Sequence, residues 1–165
     1  GFLLLGLYSY LGSFLHESIG LDYSQCGIII MFYGFACLIG GSQVGKFSKR
    51  FGQKNIILAG QVFALITTLF LYFFHYWQVA LIATIFLGFG YISIQSTLAT
   101  MAFDIMSENK GLPSGLVGLG LFCGGGLGSL FSGWLLIKGG YESIWIIFFI
   151  AILVFNLITL KIKFN

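Results

Sequence analysis

Charge is the first thing this sequence lacks. Only 8% of its 165 residues are Asp, Glu, Lys or Arg, where a soluble domain carries about 25%. That is too little polar surface to coat a globule in water, which excludes soluble enzymes, nucleic-acid readers and disordered tails. Eight basic and five acidic residues leave a net charge of +3, no balance for holding a polyanion. Proline is reduced to Pro113. Water-channel folds need two Asn-Pro-Ala turns, and mitochondrial-type carriers need proline-kinked repeats, so neither fits. The three cysteines, Cys26, Cys37 and Cys123, form no Cys-x-x-Cys pair. An odd, scattered set builds neither a disulfide framework nor a zinc site, and no metal or cofactor is expected. The chain opens on Gly1 and is apolar from its second residue, without the basic start of a signal peptide. It reads as a cut inside a longer protein.

What is present is apolar. Hydrophobic residues make up 58%, with 24 glycines besides, and the mean hydropathy is +1.00. The bilayer is the solvent. A membrane helix needs about 20 mostly apolar residues, and six segments qualify: 1–15, 27–44, 55–74, 78–103, 112–137 and 143–160. Their apolar runs are continuous rather than alternating and too long for barrel strands. The expected fold is all-α and integral to the membrane, with six transmembrane helices.

The connections orient these spans. Lys46, Lys49, Arg50 and Lys54 follow the second span, Lys110 follows the fourth, and Lys161 and Lys163 end the chain. The opposite side holds Lys138 with Glu17, Asp22 and Glu142. Basic residues stay cytoplasmic, so both ends of the segment are expected in the cytoplasm, beneath an inner or plasma membrane. Tyr76, Trp77, Tyr141 and Trp145 fall at the outer ends, as an aromatic belt does.

No charged residue lies near the middle of a span, yet polar residues recur on helical faces. In the fourth span Ser93, Thr97, Thr100 and Asp104 share one face, with Ser96 beside them, and Tyr91 and Gln95 share another. In the first, Gly6, Tyr10, Ser13 and Glu17 align, with Ser9 and His16 alongside; in the second, Tyr33 and Cys37 align. Two readings stay open. Hydroxyls bond back to their own helix or glue helices together, or the faces line a polar cavity. The cavity candidates are Tyr10, Ser13, Tyr33, Ser93, Gln95 and Thr97. His16 and His75 sit at outer edges, where interfacial roles are the simpler reading. The fifth span carries a ladder of small residues, Gly120, Gly124, Gly128 and Ser132. Such a ladder lets another helix approach closely, and the run Gly124-Gly125-Gly126 adds flexibility.

The loop GKFSKRFGQK (45–54) resembles the signature loop of the major facilitator superfamily, Gly-x-x-x-Asp-Arg/Lys-x-Gly-Arg/Lys-Arg/Lys. Gly45, Arg50, Gly52 and Lys54 match; Lys49 stands where the family has Asp, and Gln53 where it has a basic residue. Gly120, Gly124 and Gly128 echo the family's glycine-rich fifth-helix motif, with Gly125 in place of its proline. The degenerate loop, the missing proline and the chain's end soon after the sixth span point to a C-terminal half, helices 7 to 12 of twelve, partnered by an N-terminal six-helix half. The resemblance implies two inverted three-helix repeats, and Gly45-x6-Gly52 has a counterpart in Gly133-x6-Gly140. It also implies a secondary active transporter that moves a small solute by alternating access, similar to members that export drug- or sugar-like compounds. In that family helices 7, 8, 10 and 11 face the central cavity, which selects spans one, two, four and five here. The rivals are weaker. An intramembrane protease needs Gly-x-Ser-Gly, and Leu112 stands at the required glycine before Ser114. A channel subunit wants a re-entrant loop or a charged ring, and the loops are too short; a six-helix scaffold is the remaining alternative.

Overall fold

The computed structural model describes residues 1–105 and 111–162. Lys110 and Lys163, counted in the charge asymmetry above, lie outside the described residues. Every described element is helical: α1 (Phe2–Glu17), α2 (Tyr23–Phe51), α3 (Gln53–Phe73), α4 (Trp77–Ile105) and α5 (Gly111–Lys161). Four of the five, α2 to α5, contain stretches long and apolar enough to cross a membrane. At 16 residues, α1 falls short of the usual span of about 20.

Local chemistry sets the boundaries. Asp22 and Gln25 form a reciprocal capping box: Asp22 Oδ1 accepts from the Gln25 N–H at 2.9 Å and Gln25 Oε1 accepts from the Asp22 N–H at 3.1 Å. This starts α2 at Tyr23, ahead of the apolar run expected from 27. At its other end α2 runs on through the basic segment to Phe51, because Gly52 is the first residue that leaves the helix, with φ 85° and ψ 148°.

The 51-residue α5 would measure about 77 Å if straight. It is not straight. Gly139 (φ −150°, ψ 17°) and Gly140 (φ 70°, ψ −172°) break it into two arms, 111–138 and 141–161. Phe131 and Phe148 flank the break with ring centroids 6.3 Å apart, where an unbroken helix would separate them by about 25 Å. The arms therefore fold back on each other.

Packing pairs α1 with α5, α2 with α4, and α3 with both α4 and α5. Glycine makes two of these seams possible. A Cβ on Gly6 would lie 3.0 Å from the backbone of Gly128, and a Cβ on Gly60 would lie 2.9 Å from the Gly90 carbonyl oxygen. The core is aliphatic and aromatic, with Leu7, Leu11, Phe14, Ile144, Trp145, Phe148 and Ile152 buried together. Outside it, Leu38, Ile39, Phe122, Leu130 and Ile137 stand exposed. In water that surface would drive aggregation; in a bilayer it is the normal exterior.

Candidate functional site

Two opposite faces of α4 carry its polar residues to different surroundings. The first face bears Ser93, Thr97, Thr100 and Asp104. Ser93 lies against α3, its Cβ 3.2 Å from where a Cβ on Gly60 would sit. Thr97 is 1% exposed, and its hydroxyl donates at 2.7 Å to the Ser93 carbonyl. Thr100 donates to the Ser96 carbonyl at 2.9 Å. Both are bonds within one helix. Below them an open cavity of about 590 Å³ is bordered by Thr97, Thr100 and Asp104 on α4 and by Gly45, Lys49 and Lys54 around the α2–α3 turn. This stripe thus faces α3 and the basic turn.

The turn is tied down on two sides. Gln53 donates to Asp104 Oδ2 at 3.4 Å. Lys54 Nζ donates to the carbonyls of Leu160 and Ile162, each at 2.7 Å, capping the end of α5 where its carbonyls lack helical partners. The Arg50 guanidinium lies 5.2 Å from the centre of the Phe51 ring. Gly52 occupies a backbone region that is essentially glycine-only, yet a Cβ there would meet nothing within 4 Å. Backbone conformation, rather than crowding, is what demands glycine.

The second face bears Tyr91 and Gln95. They border a separate cavity of about 400 Å³ with Leu4, Ile94, Leu98, Val117 and Gly120. Tyr91 is braced by Tyr33 of α2 (ring centroids 5.8 Å apart), which packs at a tilt against Tyr8 of α1 at 4.4 Å. Cys37, one turn beyond Tyr33, donates its thiol to the Gly88 carbonyl at 3.4 Å. Of the cavity candidates, the structure brings Tyr33 and Gln95 together around Tyr91. Tyr10 lies instead beside Gly133 of α5, and Ser13 is exposed. Tyr8 stands outside the polar stripe of α1 and emerges only from the packing of three helices. In the small-residue ladder, Gly124 and Gly128 lie against Phe2, and Ser132 Oγ donates to the Gly6 carbonyl at 3.2 Å. A Cβ on Gly120 would touch nothing; that residue borders the cavity.

A third polar cluster joins α3 to the second arm of α5. Asn156 donates to Gln61 Oε1 at 3.1 Å, and Gln61 donates to Thr159 Oγ1 at 3.1 Å. At the opposite end of the bundle, the Tyr141 hydroxyl donates to Glu17 Oε2 at 2.8 Å. His16 Nδ1 donates to the Leu21 carbonyl at 2.7 Å, so that nitrogen carries the proton.

An all-helical, lipid-suited bundle with a basic turn after α2 is matched along its length by one family model. The model described as Major Facilitator Superfamily covers residues 1–163. The chain belongs to the major facilitator superfamily. No match is found among curated proteins. Membership in the superfamily makes this a membrane-embedded protein of a family that transports small solutes, and members of the superfamily are transporters rather than enzymes.

Proposed function

We propose that this chain is the C-terminal six-helix half of a twelve-helix secondary transporter. It moves a small solute by alternating access, with Tyr91 and Gln95 on the solute path and the 45–54 turn serving the conformational change. Counting the arms of α5 separately gives six helical segments among the described residues. The observation that carries the site is the contrast between the faces of α4. Thr97 and Thr100 also border a cavity, but they spend their hydroxyls on their own helix. Tyr91 and Gln95 border open space, and no side-chain hydrogen bond engages them among the described residues. A phenol and a carboxamide within a membrane span are costly unless they meet water or a solute.

Two features support inverted repeats offset by 88 positions. Gly52 and Gly140, each closing a helix, share a positive-φ, extended-ψ backbone. Gly40 of α2 and Gly128 of α5 are both buried at helix seams, the first against α4 and the second against α1. Exchanging α1 with α4 and α2 with the first arm of α5 turns one seam into the other. The degenerate loop, with Lys49 for Asp, and Gly125 for the motif proline favour the C-terminal half. The basic residues of the 45–54 turn and Lys161 favour a cytoplasmic location for that side, in an inner or plasma membrane. The alternative, a scaffold or channel subunit, gives Tyr91 and Gln95 no work.

The test is transport by the full-length protein in proteoliposomes, normalised to protein amount. Tyr91→Phe and Gln95→Leu should each lower it at least fivefold while Thr100→Ala leaves it within twofold. Equal transport by all three variants would refute the site.

A further inference from the structure

This inference rests on the reading of the chain as two inverted repeats working by alternating access. We propose that Tyr141 and Glu17 form a conformational latch at the end of the bundle away from the basic turn, the counterpart of Gln53 and Asp104, and that each latch parts when its own end opens.

The two contacts are built alike. Gln53 is the first residue of α3, and Tyr141 is the first of the second arm of α5. Each directly follows a glycine of positive φ and extended ψ, Gly52 (85°, 148°) and Gly140 (70°, −172°). Each donates from a neutral side chain to a carboxylate in the last turn of another helix. Gln53 Nε2 donates to Asp104 Oδ2 of α4 at 3.4 Å, and the Tyr141 hydroxyl donates to Glu17 Oε2 of α1 at 2.8 Å. The donors stand 88 positions apart, as the two glycines do, and the same offset carries Asp104 onto position 16, next to Glu17. The exchange of α1 with α4 that turns one glycine seam into the other therefore turns one contact into the other as well.

Helix chemistry does not account for the acceptors. A carboxylate in the last turn of a helix faces the negative end of the macrodipole, which disfavours it. A hydrogen bond donated to it offsets that cost, so each helix tip is more settled with its latch made than with it broken. Along its middle α1 is gripped more firmly. Leu7, Leu11 and Phe14 are buried, and Ser132 Oγ donates to the Gly6 carbonyl at 3.2 Å. Its tip is exposed and held to the second arm of α5 through Tyr141. The tip is thus the part free to swing once that bond breaks.

Tyr141 is held ready to donate. Its ring meets Phe14 of α1 edge-on at 5.5 Å and lies near-parallel to Trp145 at 6.5 Å. Behind it, Ser143 Oγ donates to the Gly139 carbonyl at 2.8 Å, closing the first arm of α5. Because inverted repeats put the two latches at opposite ends, removing one favours opening at its own end, and removing the other favours the reverse.

The experiment uses the full-length protein in nanodiscs, with spin labels on cysteines at Ser18 and Glu142 for one end and, in separate samples, at Asn55 and Phe103 for the other. Dipolar broadening gives the fraction separated at each end. Tyr141→Phe keeps the ring contacts and should raise the ratio of the Ser18–Glu142 fraction to the Asn55–Phe103 fraction about threefold, the factor of one average side-chain hydrogen bond in a membrane protein. Glu17→Ala should match it, and the two together should add nothing further. Gln53→Ala should lower the ratio, and Tyr141→Phe combined with Gln53→Ala should bring it back to the parent value. Contacts that are merely structural would loosen both ends together. Losses that accumulate instead of cancelling would overturn the inference, as would a ratio that neither Tyr141→Phe nor Glu17→Ala moves. If transport depends on Tyr91 and Gln95 while the ratio stays fixed, the latch alone falls. If the two ends of the parent never open in alternation, the alternating-access reading falls with it.

Discussion

Asn156 donates its side-chain amide to the Gln61 carbonyl oxygen at 3.1 Å, a contact between residues 95 apart in the chain that joins α3 to the second arm of α5. Amide pairs inside membrane helices contribute about 0.6 kcal/mol on average in double-mutant cycles. A cycle between Gln61→Leu and Asn156→Leu, read by thermal unfolding in detergent, should give a coupling energy of that order. A coupling of zero would mean that the pair adds nothing to the α3–α5 seam.

Gly52 separates backbone strain from crowding. Since a Cβ there meets nothing within 4 Å, Gly52→Ala and Gly52→Val should destabilise by similar amounts, about 1–3 kcal/mol. Gly128→Ala and Gly128→Val should behave differently, because a Cβ there would strike the Phe2 backbone and the loss should grow with side-chain size. Unfolding midpoints of the four variants decide between the two patterns.

Lys54 should hold the end of α5. Lys54→Met removes the donor to the Leu160 and Ile162 carbonyls, and Lys54→Arg keeps a cation in place. Maleimide labelling of a cysteine at Ile162 should quicken about two- to fivefold in the Met variant, the range of a charge at a helix C-terminus, and stay near the parent rate in the Arg variant.

Thr97 tests the stripe that faces α3. Thr97→Val preserves shape and loses a bond within one helix, so transport should remain within about twofold. Thr97→Leu overfills a site that is 1% exposed and should cost about 1–3 kcal/mol of stability. Protein yield and melting temperature, measured beside transport, show whether the loss is structural.

Topology is open to direct labelling. Cysteines replacing Tyr23 and Glu142 should react with an impermeant thiol reagent added outside intact cells, and one replacing Gln53 should not. Reaction at position 53 would reverse the proposed orientation.

The helices were legible because long apolar runs admit few other structures in lipid. The interruption between 137 and 143 was legible too, since glycines and polar residues cluster there. The partition of α4 was harder to read. Periodicity places Ser93, Thr97 and Thr100 on one face and Tyr91 with Gln95 on another, but it cannot say which face meets α3. That is decided by Gly60 and Gly90, whose missing side chains draw α3 onto the Ser93 side. Tyr8 escaped notice because its partners, Tyr33 and Tyr91, come from other helices. Gln61 and Asn156 were single polar residues in apolar helices, and their meaning lies in a contact between distant segments.

The disparity between α2 and α3 has a mechanical consequence. At 29 residues α2 is about 44 Å long, and at 21 residues α3 is about 32 Å, while a hydrocarbon core is about 30 Å thick. The shorter helix matches the membrane and the longer one overshoots it. With the apolar stretch 27–44 in the membrane, the surplus would include Lys46, Lys49 and Arg50, so a small change in α2 tilt, such as a thicker or thinner bilayer imposes, would become a larger swing of those charges. Membrane thickness would then act directly on the turn at Gly52, making the basic end of α2 a lever whose arm is set by the lipid.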